Sequence, residues 1–329
     1  MNSTRIQPVL RLLAIAWAGL LAMPAASAQI LGGPAGEDAG RYGEPVVKRL
    51  RVGAEIDASS GACRDVLAIV AIPWECAEQD VRIIDQDVSP EVRQVEYREL
   101  DSGEVRQMLI RIPFLAAGTT ARAVMTFEVT VRPVLPPEQT DDLQIPARPA
   151  SDIRRYLGDS PYIESRHRKV RTLASEILRG KDHAPAWRQV EAIYDHVRGH
   201  VEYVEGRTDQ SAAATLDEGK GDCHAITVAF VALCRASDIP ARMVWVEDHC
   251  YPEFYLEDAR GEGQWFPCQS AGDRAFGEMP DTRVIFQKGD NFRLPERPRE
   301  KFRYATDWAR GLPTPGGGKP KVRFIREPL

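Results

Sequence analysis

Cys223 and His249 are the residues whose types and positions favour covalent chemistry. The stretch Gly221-Asp222-Cys223 comes directly before a predicted helix. The first turn of a helix has unpaired N–H groups and the positive end of the dipole, and both favour a thiolate over a thiol. The N–H of Cys223 could also hold a developing oxyanion, and Gly221 would let a substrate backbone approach closely.

A thiol nucleophile needs a base, and the imidazole of His249 is suited to that task. Pairing two predicted strands about a turn near residues 257–262 puts His249 opposite Gln269 and Cys250 opposite Cys268. Side chains alternate faces along a strand, so His249 and Gln269 would share a face. We therefore expect the amide of Gln269 to hold the outer ring nitrogen of His249 and fix its tautomer.

Three more side chains are candidate substrate contacts. Glu253 lies on the same predicted strand face as His249, and it lines the cleft unless it is an ordinary solvated strand residue. Tyr203 and Trp245 would shape the acyl pocket, with core packing as the alternative for both aromatic rings. The predicted substrate-binding set is therefore Gly221, Glu253, Tyr203 and Trp245.

A zinc site is an alternative use of the same residues. The pairs Cys223-His224 and His249-Cys250, together with Cys268, are of the types that zinc binds. Residues adjacent in the chain rarely bind one ion together, so we predict no metal and no other cofactor.

Five ordered blocks of this sequence resemble the transglutaminase-like superfamily. They are Gly206–Ala212, Gly219–Cys223, Ala232–Arg242, His249–Leu256 and Gln264–Gln269. The resemblance implies a papain-like α+β fold and a Cys-His-Asp triad. It further implies a cysteine peptidase or amidase, or a transglutaminase-type acyltransferase, that acts on amide or peptide bonds through a Cys thioester. The acyl acceptor would be water or an amine, and the partner would be a protein or peptide substrate.

The sequence departs from the family's pattern at three positions. Gln269 occupies the usual place of the triad Asp, so the anion is missing, replaced by an amide, or supplied from elsewhere, such as by Asp273. Only Asp248 separates Glu247 from His249, which requires a very tight or bulged strand connection. Asp238 stands where the family commonly has Gly after the helix. The missing anion leaves a second hypothesis open, a catalytically inactive interaction module.

The elements around these residues suggest two domains. Short β-branched segments in 45–135 predict a β-sandwich-like domain, with strands at 66–72, 81–84, 108–112 and 123–131. A Pro-rich linker follows over 136–150. Helical stripes and then an antiparallel sheet predict an α+β transglutaminase-like domain over 151–310. Residues 311–329, rich in Gly and Pro, are expected to be a flexible tail.

The N-terminus has the pattern of an export signal. Two arginines precede the uncharged run Leu12–Met23, and Ala26-Ser27-Ala28 then fits a cleavage site. We expect a signal peptide over 1–28, a flexible leader over 29–44, and a periplasmic or extracellular product without stable membrane insertion. Cleavage would change the formal charge from −5 to −7, and a chain this acidic has no general attraction for nucleic acid.

Six cysteines remain after the predicted cleavage, and an exported protein can keep disulfides. The pairings that we expect are Cys63–Cys76 and Cys250–Cys268, although spacing does not establish either connectivity. The oligomeric state is not predicted.

Overall fold

The first half of the described chain is built almost wholly from long antiparallel strands. The computed structural model describes residues 41–100, 104–181, 183–207 and 209–329. The predicted signal peptide and residues 29–40 of the predicted leader lie outside the described residues. The strands are β1 (Val46–Asp57), β2 (Cys63–Ile72), β3 (Gln79–Val88), β4 (Gln94–Leu100), β5 (Val105–Leu115) and β6 (Thr120–Val131). Four of these strands contain the segments that the sequence predicts.

The helices begin after residue 150. They are α1 (Ser151–Arg154), α2 (Arg168–Leu178), α3 (Ala186–His200), α4 (Ala212–Glu218) and α5 (Cys223–Ala236), with a 3₁₀ turn at Arg155–Leu157. The apolar stripes of α2 and α3 face the core, as their spacing predicts. Helix α5 is buried from Ala225 to Arg235, because helices and strands pack around it.

The remaining strands follow or interleave with these helices. They are β7 (Glu202–Tyr203), β8 (Lys220–Gly221), β9 (Ala241–Val246), β10 (His249–Glu257), β11 (Gly263–Gln269), β12 (Ala275–Phe276), β13 (Ile285–Lys288), β14 (Phe292–Leu294), β15 (Arg297–Phe302), β16 (Trp308–Pro313) and β17 (Lys321–Pro328). The helices-then-sheet order of this half is the α+β order that the sequence predicts.

Two large sheets organise the strands. One has the order β17-β1-β6-β3, and the other runs β12-β11-β10-β9-β13-β5-β2-β16, with β4 beside β5. An apolar core lies between the first sheet and strands β2 and β5 of the second. A second core lies between the helices and strands β9, β10 and β11. The long sheet is therefore shared by strands from both halves of the chain.

The C-terminal segment corrects one prediction. Residues 311–329 were expected to be a flexible tail, but β16 pairs with β2 and β17 pairs with β1 over eight residues. The Gly and Pro residues form the turn between these two strands, where Thr314 N–H donates to the carbonyl of Ala62. Ile325 is only 3% exposed, so apolar burial outweighs the turn-rich composition.

The described residues between 41 and 329 belong to one compact unit. The predicted linker over 136–150 has no helix or strand of its own, yet Gln144 bridges to Glu257 and Leu143 packs into the helical core. The domain boundaries therefore stay a prediction. Among the described residues, none of the helices has the length and apolar character needed to cross a bilayer.

Candidate active site

Cys223 is the first residue of helix α5, and Asp222 caps that helix. The Asp222 carboxylate accepts from the backbone N–H groups of His224 (3.0 Å) and Ala225 (3.2 Å). The side chain thus turns back onto the helix, which is how an N-cap satisfies otherwise unpaired donors. The cap uses the N–H groups of His224 and Ala225 and does not engage that of Cys223. At the other end of α5, Asp238 adopts φ of +60°, the conformation that favours Gly in the family.

His249 is carried to the site by a two-residue turn. Strand β9 ends at Val246 and β10 starts at His249, and the two residues pair directly. Asp248 takes φ of +50°, which allows the chain to reverse within Glu247-Asp248. The predicted tight connection is therefore a hairpin turn, and it fixes the imidazole at the first position of β10.

Gln269 contacts the base as predicted. His249 Nε2 donates to Gln269 Oε1 over 3.1 Å. A carbonyl oxygen only accepts, so Nε2 carries a proton and Nδ1 is the ring nitrogen left to exchange a proton with Cys223. The amide oxygen therefore holds the ring in the tautomer that a base for Cys223 needs.

The predicted strand register was wrong by two residues. The structure pairs Glu253 with Pro267, whereas the expected pairs His249–Gln269 and Cys250–Cys268 would put Tyr251 opposite Pro267. The turn covers 258–262, because the Asp258 carboxylate accepts from the N–H groups of Arg260 and Glu262. A shift of two residues keeps every side chain on its predicted face, so the His249–Gln269 contact survives the error.

The surroundings of Cys223 favour its thiolate. A hydrogen bond from the Cys250 thiol, followed by one from His249, lowers the pKa of Cys223 to about 4 against the opposing effect of burial. Burial raises the pKa of Cys250 well above its usual value, so Cys250 stays a thiol and can donate. The contributions of the helix and of His249 were predicted from the sequence. The contribution of Cys250 was not, because nothing in the chain indicates that this residue of β10 contacts Cys223.

Gly221 and Tyr203 lie beside the nucleophile on a two-strand ladder. Tyr203 of β7 pairs with Gly221 of β8, and Tyr203 is 55% exposed. Burial and the negative charge of Cys223 raise the pKa of Tyr203. Gly221 is buried, and a Cβ there would lie 2.7 Å from the Cβ of Ala225. Close packing against α5 explains this glycine better than the expected approach of a substrate backbone.

Trp245 forms a wall next to the first turn of α5. Its ring lies 5.2 Å from the His224 ring and 5.0 Å from that of Tyr304, and its Nε1 donates to the carbonyl of Gly289. A cavity of about 470 Å³ is lined by Trp245, Asp248, Arg283 and Tyr304, among others. Trp245 is therefore shared by the wall beside α5 and this cavity, which neither Cys223 nor His249 lines.

Glu253 does not line a cleft, contrary to the expectation from its strand face. It is 1% exposed and accepts from Arg242 (2.8 Å) and Lys288 (3.0 Å). A buried carboxylate needs such partners, so Glu253 serves an interior ion network. Alternation of faces puts Glu253 on the same side of β10 as His249. It does not show that this side is covered four residues further along the strand.

The structure brings to the base a carboxylate that the sequence does not indicate. Asp273 is exposed, whereas Asp281 is half-buried and lies within electrostatic range of His249. Burial opposes the charge of Asp281, while hydrogen bonds from Arg283 and the charge of His249 contribute to its lowered pKa. The Arg283 guanidinium offsets much of this negative charge, so Gln269 remains the group that orients the ring.

All six described cysteines are free thiols, which corrects the expected pairs Cys63–Cys76 and Cys250–Cys268. Cys250 instead faces α5, with its sulfur 3.7 Å from the carbonyl oxygen of Cys223. The ligand atoms of Cys223, His224 and Cys250 lie within 4.8 Å of one another. Neither His249 nor Cys268, which the sequence argument considered for zinc, belongs to this group.

The α+β core has a cysteine at the start of a buried helix and a histidine on a neighbouring strand. Residues 171–270 match the model of the transglutaminase-like superfamily. This segment contains all three predicted catalytic residues, and over it the chain is similar to that superfamily. A search of curated proteins finds no significant match to the chain.

The fold is similar to that of solved structures. A crystal structure named "Putative Cysteine Protease" from Cytophaga hutchinsonii aligns with a TM-score of 0.56 at 19% identity, over 88% of this chain and 93% of the other. This similarity concerns the fold alone. A "putative protease" from Parabacteroides distasonis aligns with a TM-score of 0.28 at 10% identity, over 65% of this chain and 42% of the other, which carries no argument.

Proposed function

We propose that this protein is a cysteine enzyme that cleaves or exchanges amide bonds by acyl transfer. The observation that carries the proposal is the chain of hydrogen bonds from Gln269 through His249 to Cys223. An oriented base beside an ionised thiol is the arrangement that nucleophilic catalysis requires. The transglutaminase-like core supports the same class of enzyme.

In the first step, the Cys223 sulfur attacks the amide carbonyl carbon and forms a tetrahedral oxyanion. The backbone N–H of Cys223 stabilises this oxyanion at the positive end of α5. His249 holds the proton taken from the Cys223 thiol, and it gives this proton to the leaving amine as the C–N bond breaks. The product is a thioester on Cys223 and a free amine.

In the second step, His249 removes a proton from the acceptor, which attacks the thioester carbonyl and releases Cys223. Water as acceptor gives a peptidase or amidase, and an amine gives a transglutaminase. Tyr203 is exposed beside Cys223 and Trp245 lines the adjoining cavity, so we assign both to the substrate side. We propose that the protein is exported and that it hydrolyses a protein or peptide substrate.

The replacement of the triad Asp by Gln269 favours one other function, an inactive interaction module. A thiol-reactive peptide amide probe separates the two. Selective labelling of Cys223 in the wild type, lost in His249→Ala, supports the enzyme. Labelling that is independent of His249 and spread over several cysteines supports the interaction module.

The acceptor is tested with a peptide library and a fluorescent primary amine in the same reaction. Release of new peptide termini without incorporation of the amine supports hydrolysis, and incorporation into glutamine-containing peptides supports transfer to amines. The matched control is Cys268→Ser, which removes a buried thiol outside the site. It should leave either activity intact.

A further inference from the structure

Cys250 lies directly under the nucleophile on strand β10. Its side chain is fully buried, and its sulfur is 3.7 Å from the carbonyl oxygen of Cys223 and 3.8 Å from Thr227 Oγ1. Pairing of Cys250 with Trp245 holds the strand at this position. The acyl-transfer steps use the Cys250 thiol as a hydrogen-bond donor and leave its sulfur unreacted.

His224 presents a ring nitrogen in the same place. It follows Cys223 on α5, and its ring packs against Trp245. Its Nδ1 is buried and has no hydrogen-bond partner among the residues that the structure describes. A buried polar atom without a partner is unfavourable and calls for an explanation, such as an ion that it binds. Acyl transfer by Cys223 and His249 gives this nitrogen no task.

The fold brings three ligand-type side chains together although Cys223 and His224 are adjacent in the chain, an arrangement expected to be rare from the sequence. One ligand atom from each of Cys223, His224 and Cys250 lies within 4.8 Å of the other two. In a tetrahedral zinc site the bonds of about 2.0–2.3 Å put neighbouring ligand atoms about 3.5–3.8 Å apart. Small rotamer changes therefore suffice to bring this group around one ion. Two sulfurs and an imidazole nitrogen are ligands that suit softer cations. Mg²⁺ and Ca²⁺ prefer oxygen ligands and do not fit this set.

We propose that Cys223, His224 and Cys250 form a binding site for Zn²⁺, with the fourth position open to water. On binding, any proton carried by either thiol passes to solvent, and both sulfurs bond to the ion as thiolates. No electron is transferred. The sulfur of Cys223 cannot bond to the ion and attack an amide at once, so zinc and substrate compete. This inhibitory consequence rests on the proposed function, whereas zinc binding itself does not.

Binding is measured on the full chain, freed of metal with a chelator and kept reduced with a phosphine. Titration with Zn²⁺ in a calorimeter, with elemental analysis after gel filtration, should give one ion per chain. The affinity should fall at least tenfold in Cys250→Ser and in His224→Ala. Co²⁺ provides an independent signal, because thiolate ligation adds a charge-transfer absorption band that should weaken in Cys250→Ser. Cys268→Ser is the matched control, and it should bind like the wild type.

Competition is measured by alkylation of Cys223 with iodoacetamide, read by peptide mass mapping. One equivalent of Zn²⁺ should block the alkylation, and a chelator should restore it. In His224→Ala the thiol should stay reactive at the same zinc concentration. Circular dichroism checks that each variant folds, and His224→Ala carries the test alone if Cys250→Ser does not fold.

The proposal is overturned by any of three results. They are the absence of stoichiometric zinc in the wild type, an affinity unchanged in the folded ligand variants, or unhindered alkylation of Cys223 in the zinc-loaded chain. Loss of amide turnover on all substrates would contradict the proposed function and leave these metal readouts standing. Turnover that requires zinc would overturn its inhibitory role.

Discussion

The sulfur of Cys223 receives its reactivity from neighbours on three different elements. The N-terminus of α5 supplies the dipole, β10 supplies the thiol of Cys250 and the ring of His249, and β11 supplies Gln269. Hydrogen bonds to the charged form lower a pKa, and here they exceed the effect of burial. We therefore expect Cys223 to be a thiolate even at mildly acid pH.

Alkylation of Cys223 should be nearly independent of pH above about pH 5. Its pKa of about 4 means that the thiolate is lost only as the pH falls through that value. An ordinary thiol, with a pKa of about 8.5, loses nearly all reactivity by pH 6. The measurement is the rate of pulse labelling with iodoacetamide in metal-free protein, mapped to the Cys223 peptide. A rate that rises tenfold per unit between pH 6 and 8 would refute this prediction.

Cys250→Ala should shift the midpoint of that labelling profile upward, because the strongest hydrogen bond to the thiolate is removed. The same labelling assay measures the shift. Cys268→Ala is the control, since Cys268 is equally buried and lies outside the site. An unshifted midpoint in Cys250→Ala would show that the thiol does not stabilise the thiolate.

Gln269→Ala should lower kcat by about tenfold, with a smaller change in KM. The variant leaves His249 without its acceptor at Nε2, so the ring is free to rotate, while substrate contacts remain. The loss should stay below the 10²–10⁴ that a general base itself supplies. Gln269→Glu keeps an acceptor and should retain more activity than Gln269→Ala. Steady-state kinetics on the substrate identified by the library provide the measurement, and equal activity of all three proteins would contradict the role.

Cys223, His249 and Gln269 could be proposed as catalytic residues from the chain because their order and spacing resemble a known pattern. Cys250, Asp281 and the burial of Glu253 could not, because each depends on which residues the fold brings to them. The sequence places Glu253 on the His249 face, and only the positions of Arg242 and Lys288 show that this face turns inward there.

At the scale of elements, the contact between α5 and the β7–β8 ladder sets the position of the nucleophile. Gly221→Ala should destabilise the protein by about 1–3 kcal/mol, since its Cβ would lie 2.7 Å from the Cβ of Ala225. Gly199→Ala is the matched control. Gly199 lies exposed in α3 with open space around it, and the change should be neutral or stabilising by about 0.5 kcal/mol.

Urea unfolding followed by circular dichroism measures both variants. If Gly221→Ala raised KM and left stability unchanged, the glycine would serve substrate approach instead of helix packing.

Helices α2, α3 and α5 and most of the long strands could be predicted from periodicity and apolar runs. The predicted register of β10 with β11 was wrong because the residue pattern does not fix the centre of the turn between them. In the structure this turn has five residues and is closed by Asp258. The error did little harm, since a shift of two residues preserves the faces.

At the scale of the whole molecule, the C-terminal strand completes the sheet that begins the described chain. Ile325→Ala in β17 should destabilise the protein by about 2–4 kcal/mol, because this side chain is 3% exposed. Leu329→Ala, at a position 70% exposed, should change stability by less than about 0.5 kcal/mol. Thermal unfolding measures both, and an Ile325→Ala protein as stable as the wild type would support the tail first expected.

The pairing of the C-terminal strands with β1 and β2 could not be predicted from the sequence. The partners lie more than 200 residues apart, and Gly and Pro dominate the local composition. Local signals describe turns well and say nothing about which distant strand a segment joins.

Pre-steady-state reaction with a nitrophenyl ester of a short peptide tests whether Cys223 is an acyl-accepting nucleophile served by His249. We predict a burst of nitrophenolate stoichiometric with the chain and an acyl group on the Cys223 peptide, with slow turnover in His249→Ala. No burst, or an acyl group on another residue, would contradict the claim.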